Sequence, residues 1–243
     1  MPKIYVTNRL NLKYFKKGYI PIVVDVLRCS TTIITAVENG ARGIIPVATI
    51  KEAKALGEIY VDAVLAGERN GIPPEGFKLG NSPYEFKPEI INGKLIILTT
   101  TNGTKAIKSA SRLGPTLIGG IINAKAVSKA AYKIAVEKGR DIIIVMAGKV
   151  GIFYLEDFIG AGLIVRELEN YNTILDDVAT AALNLVKNSN WRSLAEKSEH
   201  ASYLASIGFK KDVIYALTPN ISNTVPILTN SIITKLEDKL KTG

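Results

Sequence analysis

The first candidate site residues lie in segment 25–32, which reads Asp-Val-Leu-Arg-Cys-Ser-Thr-Thr and follows an apolar run. Carboxylates such as that of Asp25 hold divalent metals, and the guanidinium of Arg28 suits an anion. The segment ends in hydroxyl residues where a helix would begin, and free N–H groups at helix N-termini bind phosphate or sulfonate. The segment therefore predicts an anion site beside a metal ligand. The alternative is that a hydroxyl caps the helix and Asp25 pairs with Arg28.

A second candidate segment begins with Glu68 beside Arg69 and continues through Asn81 and Ser82. A carboxylate next to an arginine suits metal or anion binding, and glycine with asparagine allows the tight backbone that surrounds a ligand. Glycines and prolines between residues 67 and 88 break regular structure for about twenty residues, and loops of that length are usually functional. The alternative is a surface loop with a Glu–Arg ion pair.

Two further polar segments follow apolar runs. Segment 99–105 reads Thr-Thr-Thr-Asn-Gly-Thr-Lys and predicts a phosphate-binding turn at a helix start, although it lacks Walker spacing. The other runs from Ala147-Gly148-Lys149 to Glu156 and Asp157. Simple helix capping is the alternative for both segments. All four segments follow a predicted strand, and open α/β sheets build their sites beyond the carboxyl ends of strands.

The only histidine and the only cysteine are expected to have structural roles. His200 lies in a helical pattern near Tyr203, which is typical of a surface or packing residue. Cys29 precedes a helix, where a thiol is activated, but no histidine lies nearby in sequence to assist it. With one residue of each type, Ser–His triads, His-pair motifs and cysteine zinc sites are excluded. Acid–base chemistry is therefore assigned to carboxylates, lysines, tyrosines or a metal-bound water.

The elements that position these segments alternate between Val- and Ile-rich runs and helical patterns, which predicts an α/β protein with a buried, largely parallel sheet. Predicted strands span residues 3–6, 20–26, 43–47, 63–66, 95–99, 116–121, 141–146 and 213–217. Predicted helices span residues 31–39, 50–56, 104–113, 124–138, 157–169, 177–187, 191–207 and 232–241. Glycines at helix ends, such as Gly139, are expected to adopt the left-handed conformation.

Composition limits the class of protein. The chain has 243 residues, and we expect one α/β domain over 1–243, with a C-terminal subregion after about residue 180. No apolar run reaches the ~20 residues that cross a bilayer, and the opening residues lack a signal-peptide pattern. We therefore expect a cytoplasmic protein without a membrane partner. The net charge of +9 suits a polyanionic ligand, but the lysines are dispersed, which is typical of a solvated surface.

Taken together, the polar segments resemble the 2-phosphosulfolactate phosphatase family, the ComB proteins of coenzyme M biosynthesis. The resemblance rests on an ordered series up to about residue 180: Val24-Asp25-Val26-Leu27-Arg28, Ser30-Thr31-Thr32, Asn39-Gly40-Ala41, Ala66-Gly67-Glu68-Arg69, Gly76-Phe77, Leu79-Gly80-Asn81-Ser82-Pro83, Thr99-Thr100-Thr101-Asn102-Gly103-Thr104, Ala147-Gly148 and Glu156-Asp157. The last third matches only loosely. Family members often carry Ala where Cys29 stands, which argues against a thiol nucleophile.

The resemblance implies a three-layer α/β/α arrangement around a largely parallel or mixed sheet. It also implies a Mg²⁺-dependent hydrolase that converts 2-phospho-3-sulfolactate to 3-sulfolactate and phosphate. A phosphate, a sulfonate and a carboxylate on one substrate agree with several anion sites on a basic protein. Whether water attacks directly or a carboxylate such as Asp25 forms a phosphoenzyme is left open.

The residues carried over from the resemblance fall into three groups. Metal ligands or acid–base groups are Asp25, Glu68 and Asp157. Anion-binding catalytic residues are Arg28 and Arg69. Substrate-binding residues are Ser30, Thr31, Thr32, Asn81, Ser82, Thr101, Asn102, Gly103 and Thr104.

Three alternatives to this function are kept. The first is a phosphatase of the same fold that acts on another phosphorylated 2-hydroxy acid. The second is a non-catalytic protein that binds an anionic metabolite. The third is a nucleic-acid-binding protein, which the charge suggests, but no helix-turn-helix, RNP or zinc pattern accompanies it. The expected partner is therefore a small anionic phosphorylated substrate and not a nucleic acid; a homo-oligomer is left open.

Overall fold

A computed structural model describes residues 1–8, 10, 14–15, 18–148 and 152–236. The strands are β1 (Lys3–Thr7), β2 (Tyr19–Val24), β3 (Gly43–Val47), β4 (Val64–Gly67), β5 (Leu95–Thr99), β6 (Thr116–Gly119), β7 (Asp141–Met146), β8 (Ile174–Leu175), β9 (Pro226–Thr229) and β10 (Ile232–Lys235). The helices are α1 (Cys29–Glu38), α2 (Ile50–Ile59), α3 (Pro88–Ile91), α4 (Gly103–Ala110), α5 (Ala124–Lys138), α6 (Leu155–Leu168), α7 (Asp177–Asn188), α8 (Trp191–Glu196), α9 (Glu199–Ser206) and α10 (Lys210–Ala216). Short 3₁₀ turns lie at Pro83–Glu85 and Ile121–Asn123.

The strands form one mixed sheet in the order β4-β5-β3-β10-β9-β6-β2-β7-β1-β8. Pairing is parallel except around the hairpin of β9 and β10, which is antiparallel to its neighbours β6 and β3. The α/β class is therefore confirmed, and the sheet is mixed.

Helices cover both faces of the sheet. In β7, Ile142 and Ile144 pack in the same core cluster as the buried faces of α5, α6 and α7. Their neighbours Ile143 and Val145 pack in a second cluster with α1 and α4. Since successive side chains of a strand point to opposite faces, the two clusters lie on opposite sides of the sheet. The three-layer arrangement is confirmed.

Most predicted elements are present. Helix α5 has the predicted bounds, and Gly139 after it adopts a left-handed conformation with φ of 60°. The predicted helix over 191–207 is two helices. Helix α8 ends at Glu196, and Ser198 caps the start of α9 by accepting a hydrogen bond from the Ala201 N–H. No helix in the described ranges is long and apolar enough to cross a membrane.

Two predicted elements are wrong. The strand predicted over 213–217 lies in and just after α10, where Val213, Ala216 and Leu217 are buried at helical spacing. The helix predicted over 232–241 begins instead as strand β10, and residues 237–241 lie outside the described part. Strand β9 was not predicted; its first residue is Pro226, and proline, which lacks an N–H, is tolerated at a strand start.

Candidate functional site

A cleft of about 650 Å³ lies beyond the carboxyl ends of β2, β4 and β5. Segments 25–32, 67–83 and 99–105 all contribute to its wall, as their common placement predicted. The described lining residues are Asp25, Leu27, Arg28, Glu68, Asn70, Gly71, Asn81, Thr100, Thr101, Asn102, Tyr154, Glu199, His200, Ser202, Tyr203, Leu204 and Ser206.

The sheet must curl to form this cleft. Strands β5 and β2 are five positions apart in the sheet, which in a flat sheet corresponds to about 24 Å. Yet Gly103 at the start of α4 touches the loop after β2: a Cβ built on it would lie 2.5 Å from Asp25 Oδ2 and 2.5 Å from Cys29 Cβ. Helix α4, which follows β5, packs against both β2 and β3. This packing brings the end of β5 close to the end of β2.

This close approach predicts that Gly103→Ala perturbs the site. We expect the variant to lose about 1–3 kcal/mol of stability and more than half of its activity, because the new methyl group overlaps Cys29 and the Asp25 carboxylate. Gly120→Ala is the matched control, since the nearest atom to its Cβ would be 3.5 Å away. Urea unfolding of both variants measures the difference; equal stability of the two would contradict the packing described here.

Asp25 is a buried carboxylate at the edge of the cleft. Its Oδ1 accepts a hydrogen bond of 3.1 Å from the Cys29 N–H, and its own N–H donates to Ser30 Oγ. Burial raises the pKa of the Asp25 carboxyl to about 6. The His200 imidazole and the Cys29 bond counteract this rise in pKa, whereas the Glu68 and Glu156 carboxylates add to it. Asp25 is therefore costly to ionise in the absence of a cation.

Glu68 joins the loops that follow β4 and β5. Its Oε1 accepts a 2.7 Å bond from the Thr101 N–H, and its Oε2 accepts a 2.9 Å bond from the Gly71 N–H. Each carboxylate oxygen accepts from one amide, so each retains a lone pair. Glu68 thus fixes the shape of the cleft and presents oxygen atoms to it.

Asp157 does not line the cleft. Its two oxygens accept hydrogen bonds from the Val26 N–H at 2.8 Å and the Gly148 N–H at 3.1 Å. Burial, followed by the charges of Asp25 and Glu156, raises the pKa of Asp157 well above its usual range. In this structure Asp157 positions the loop that carries Asp25. Lys149, next to Gly148, lies outside the described residues.

Arg28 lines the cleft from a buried ion pair. Its Nη1 donates to Asp212 Oδ2 at 2.7 Å, its Nη2 donates to the Gly71 carbonyl at 2.8 Å, and its guanidinium lies 4.0 Å from the Phe209 ring centroid. The other Asp212 oxygen accepts from Ser82 Oγ. Arg28 is therefore held by α10, a part of the chain that the sequence analysis did not connect with the site.

Arg69 and several predicted binding hydroxyls lie beside the cleft and not in its wall. Arg69 donates to the Glu68 carbonyl and to Thr99 Oγ1. The hydroxyl groups of these residues donate hydrogen bonds within the protein: Ser30 to Val23 O, Thr31 to Val26 O, Thr32 to Asn81 O, Ser82 to Asp212 and Thr104 to Thr100 O. Of the predicted substrate-binding residues, Asn81, Thr101 and Asn102 are in the wall.

Helix α9 and Tyr154 form a wall of the cleft that the sequence pattern did not predict, although Tyr154 lies within the fourth polar segment. His200, expected to pack or to lie on the surface, lines the cleft and stacks on Tyr154 with 4.9 Å between ring centroids. A signal for it was the polar face of α9, where His200, Tyr203 and Ser206 recur every third residue. Cys29, in contrast, is fully buried, and burial raises the pKa of its thiol well above its usual range, which agrees with a packing role.

The described wall of the cleft carries more negative than positive charge. Carboxylates come from Asp25, Glu68 and Glu199. The guanidinium in the described wall is that of Arg28, which is already paired with Asp212. The Asn81 Oδ1 atom is buried without a hydrogen-bond partner. A bound cation would offset this negative charge for an anionic ligand, and Asn81 Oδ1 is a candidate oxygen ligand for it.

Comparison with known proteins identifies relatives along most of the chain. Residues 5–231 match the sequence model of the family described as 2-phosphosulpholactate phosphatase. A protein of Thermotoga petrophila named probable 2-phosphosulfolactate phosphatase is 42% identical over 212 residues, covering 87% of this chain and 89% of the relative. A protein of Clostridium acetobutylicum with the same name is 38% identical over 218 residues, covering 88% of this chain and 91% of the relative.

Proposed function

The chain belongs to the 2-phosphosulpholactate phosphatase family, a family of phosphoric monoester hydrolases, and we propose that it hydrolyses 2-phospho-3-sulfolactate to 3-sulfolactate and phosphate, the coenzyme M type of reaction. The observation that carries the proposal is that the matched residues, 5–231, include every segment that forms the cleft. The named relatives support the same substrate.

A magnesium ion fits the oxygen atoms of this cleft. No three acidic, histidine or cysteine side chains among the described residues are grouped to hold a metal by themselves. Magnesium, however, usually takes one or two carboxylates and completes its shell with water and substrate phosphate. We assign Asp25, Glu68 and the partnerless Asn81 Oδ1 to it. When bound, the ion neutralises charge on the phosphoryl group.

The chain's own residues bind and orient the rest of the substrate. Two N–H groups of Arg28 are held by Asp212 and Gly71, and the guanidinium has five donors in all, so the remainder can bind an anionic group of the substrate. The hydrogen bonds to Asp212 and Gly71 fix the orientation of the guanidinium and therefore the direction of its remaining N–H donors. Thr101 and Asn102 lie at the start of α4, where polar groups suit a second anion.

A substrate panel tests the proposal. With Mg²⁺ present, we expect phosphate release from 2-phospho-3-sulfolactate to exceed release from phosphoglycolate and from phospholactate by more than tenfold in kcat/KM, because these compounds lack the sulfonate. Preference for one of the other two would assign the chain to a different phosphorylated 2-hydroxy acid. Binding of 2-phospho-3-sulfolactate in calorimetry without turnover would identify a non-catalytic binder. Either of these two results would overturn the proposal.

A further inference from the structure

His200 lines the same cleft as the residues assigned to the metal. It is carried by α9, whose residues Ser202, Tyr203 and Ser206 form the same wall. Its side chain is 23% exposed, and its charge acts on Asp25. The imidazole is therefore both accessible to a ligand and close to the predicted reaction centre.

Glu156 and Tyr154 fix the orientation of this imidazole. His200 Nδ1 lies 3.1 Å from Glu156 Oε1, and the Glu156 side chain is 1% exposed. The Tyr154 ring stacks on the imidazole at an interplanar angle of 29°. A hydrogen bond at Nδ1 fixes which nitrogen remains for the cleft, as in sites where a carboxylate orients a catalytic histidine. Here the remaining nitrogen is Nε2.

Resting on the proposed function, we propose that His200 is the general acid of the phosphatase and that Glu156 is its positioning residue. A protonated imidazole carries hydrogen on both nitrogens, so Nδ1 donates to Glu156 while Nε2 has a proton to give. Histidines that a carboxylate orients in this way are suited to proton transfer in a transition state. The only histidine of the chain thus has a function that its helical surroundings do not indicate.

The proton balances the reaction at the ester oxygen. Water attacks phosphorus, the bond between phosphorus and the C2 oxygen breaks, and the electron pair of that bond moves to the C2 oxygen. The Nε2 proton joins this oxygen to give the hydroxyl of 3-sulfolactate. Both protons of the water remain at first on the phosphate, and one then returns to the imidazole directly or through solvent. No oxidant, reductant or further reactant is needed.

The test compares two leaving groups on one scaffold: 2-phospho-3-sulfolactate and its analogue with sulfur in place of the bridging C2 oxygen. A thiolate is a weak base and leaves without a proton, whereas an alkoxide is a strong base. We expect His200→Asn to lower kcat about 10²- to 10⁴-fold for the oxygen ester and less than tenfold for the sulfur analogue. Glu156→Gln should show a smaller loss with the same selectivity.

Two further measurements separate catalysis from structure. Glu169→Gln is the matched control, because Glu169 forms an exposed pair with Lys187 outside the cleft, and its rates should be unchanged. In His200→Gly, added imidazole should restore hydrolysis of the oxygen ester. Equal losses on both esters, or no restoration by imidazole, would overturn the general-acid assignment. Absence of turnover by the wild-type protein on both esters would instead refute the proposed function.

Discussion

Replacing Asp25 by Asn is expected to lower kcat/KM for 2-phospho-3-sulfolactate by at least about a hundredfold and, at the same time, to raise the melting temperature of the metal-free protein. The catalytic loss follows from the proposed role of Asp25, because the variant would lack the anionic ligand assigned to Mg²⁺, whose charge stabilisation is worth several kcal/mol. The gain in stability follows because the ionised Asp25 carboxylate is buried and lies near the carboxylates of Glu68 and Glu156, both of which disfavour its charge. The asparagine carries no charge. An asparagine at this position can still accept the hydrogen bond from Cys29.

The gain in stability should depend on pH in a defined direction. The pKa of Asp25 is about 6 in the folded chain and 3.8 in the reference state, so the folded protein binds this proton more tightly. The contribution of Asp25 to stability is therefore complete below pH 4 and is lost as pH rises through 6. The amide of the Asp25→Asn variant does not titrate, so the advantage of the variant should grow from pH 4 to 7, to at most about 3 kcal/mol.

Thermal melts of both proteins in excess chelator, from pH 4 to 7.5, measure this difference. Added Mg²⁺ should then raise the melting temperature of the wild type and not that of Asp25→Asn, because a ligand stabilises only the form that binds it. Full activity of the variant, or a stability difference that is constant with pH, would contradict the assignment of Asp25.

Replacing Asp212 by Ala is expected to destabilise the protein by about 3–5 kcal/mol. The substitution leaves the Arg28 guanidinium buried without its charge partner, and removing one member of a buried ion pair has this cost. It also removes the acceptor of the Ser82 hydroxyl. For a chain of this length the loss corresponds to a fall of roughly 6–20 °C in melting temperature.

Glu196→Ala provides the control for this measurement. Glu196 lies 3.5 Å from Arg192 in an exposed pair, and the loss of such a pair changes stability by less than about 1 kcal/mol. Chemical denaturation of both variants, with phosphate release measured beside it, separates the two cases. A loss below about 1 kcal/mol for Asp212→Ala would show that Arg28 is not held as described.

The elements that carry the site could be predicted because their signals are local. Val- and Ile-rich runs predict β2, β5 and β7, and the polar residues directly after β2, β4 and β5 do lie together. The errors concern elements that tertiary contacts decide. The turn at Asn230 and Ser231, both at positive φ, folds 226–235 into a hairpin that joins two parts of the sheet, although the apolar residues of β10 also fit a helix.

The parts of the site that sequence could not predict depend on long-range contacts. Arg28 and Asp212 are 184 positions apart, and Glu156 and His200 are 44 positions apart. Nothing in the spacing of these residues predicts their meeting. The curl of the sheet, which brings Gly103 against Asp25, likewise follows from the packing of α4 on β2 and β3.

The most direct test of the central claim is phosphate release from 2-phospho-3-sulfolactate by the purified wild-type protein, first with Mg²⁺, then with excess chelator, and then with Mg²⁺ restored. We predict turnover in the first and third conditions and at least a hundredfold less in the second. Equal turnover in all three would contradict a magnesium site in the cleft, and no turnover in any of them, from folded protein, would contradict the proposed reaction itself.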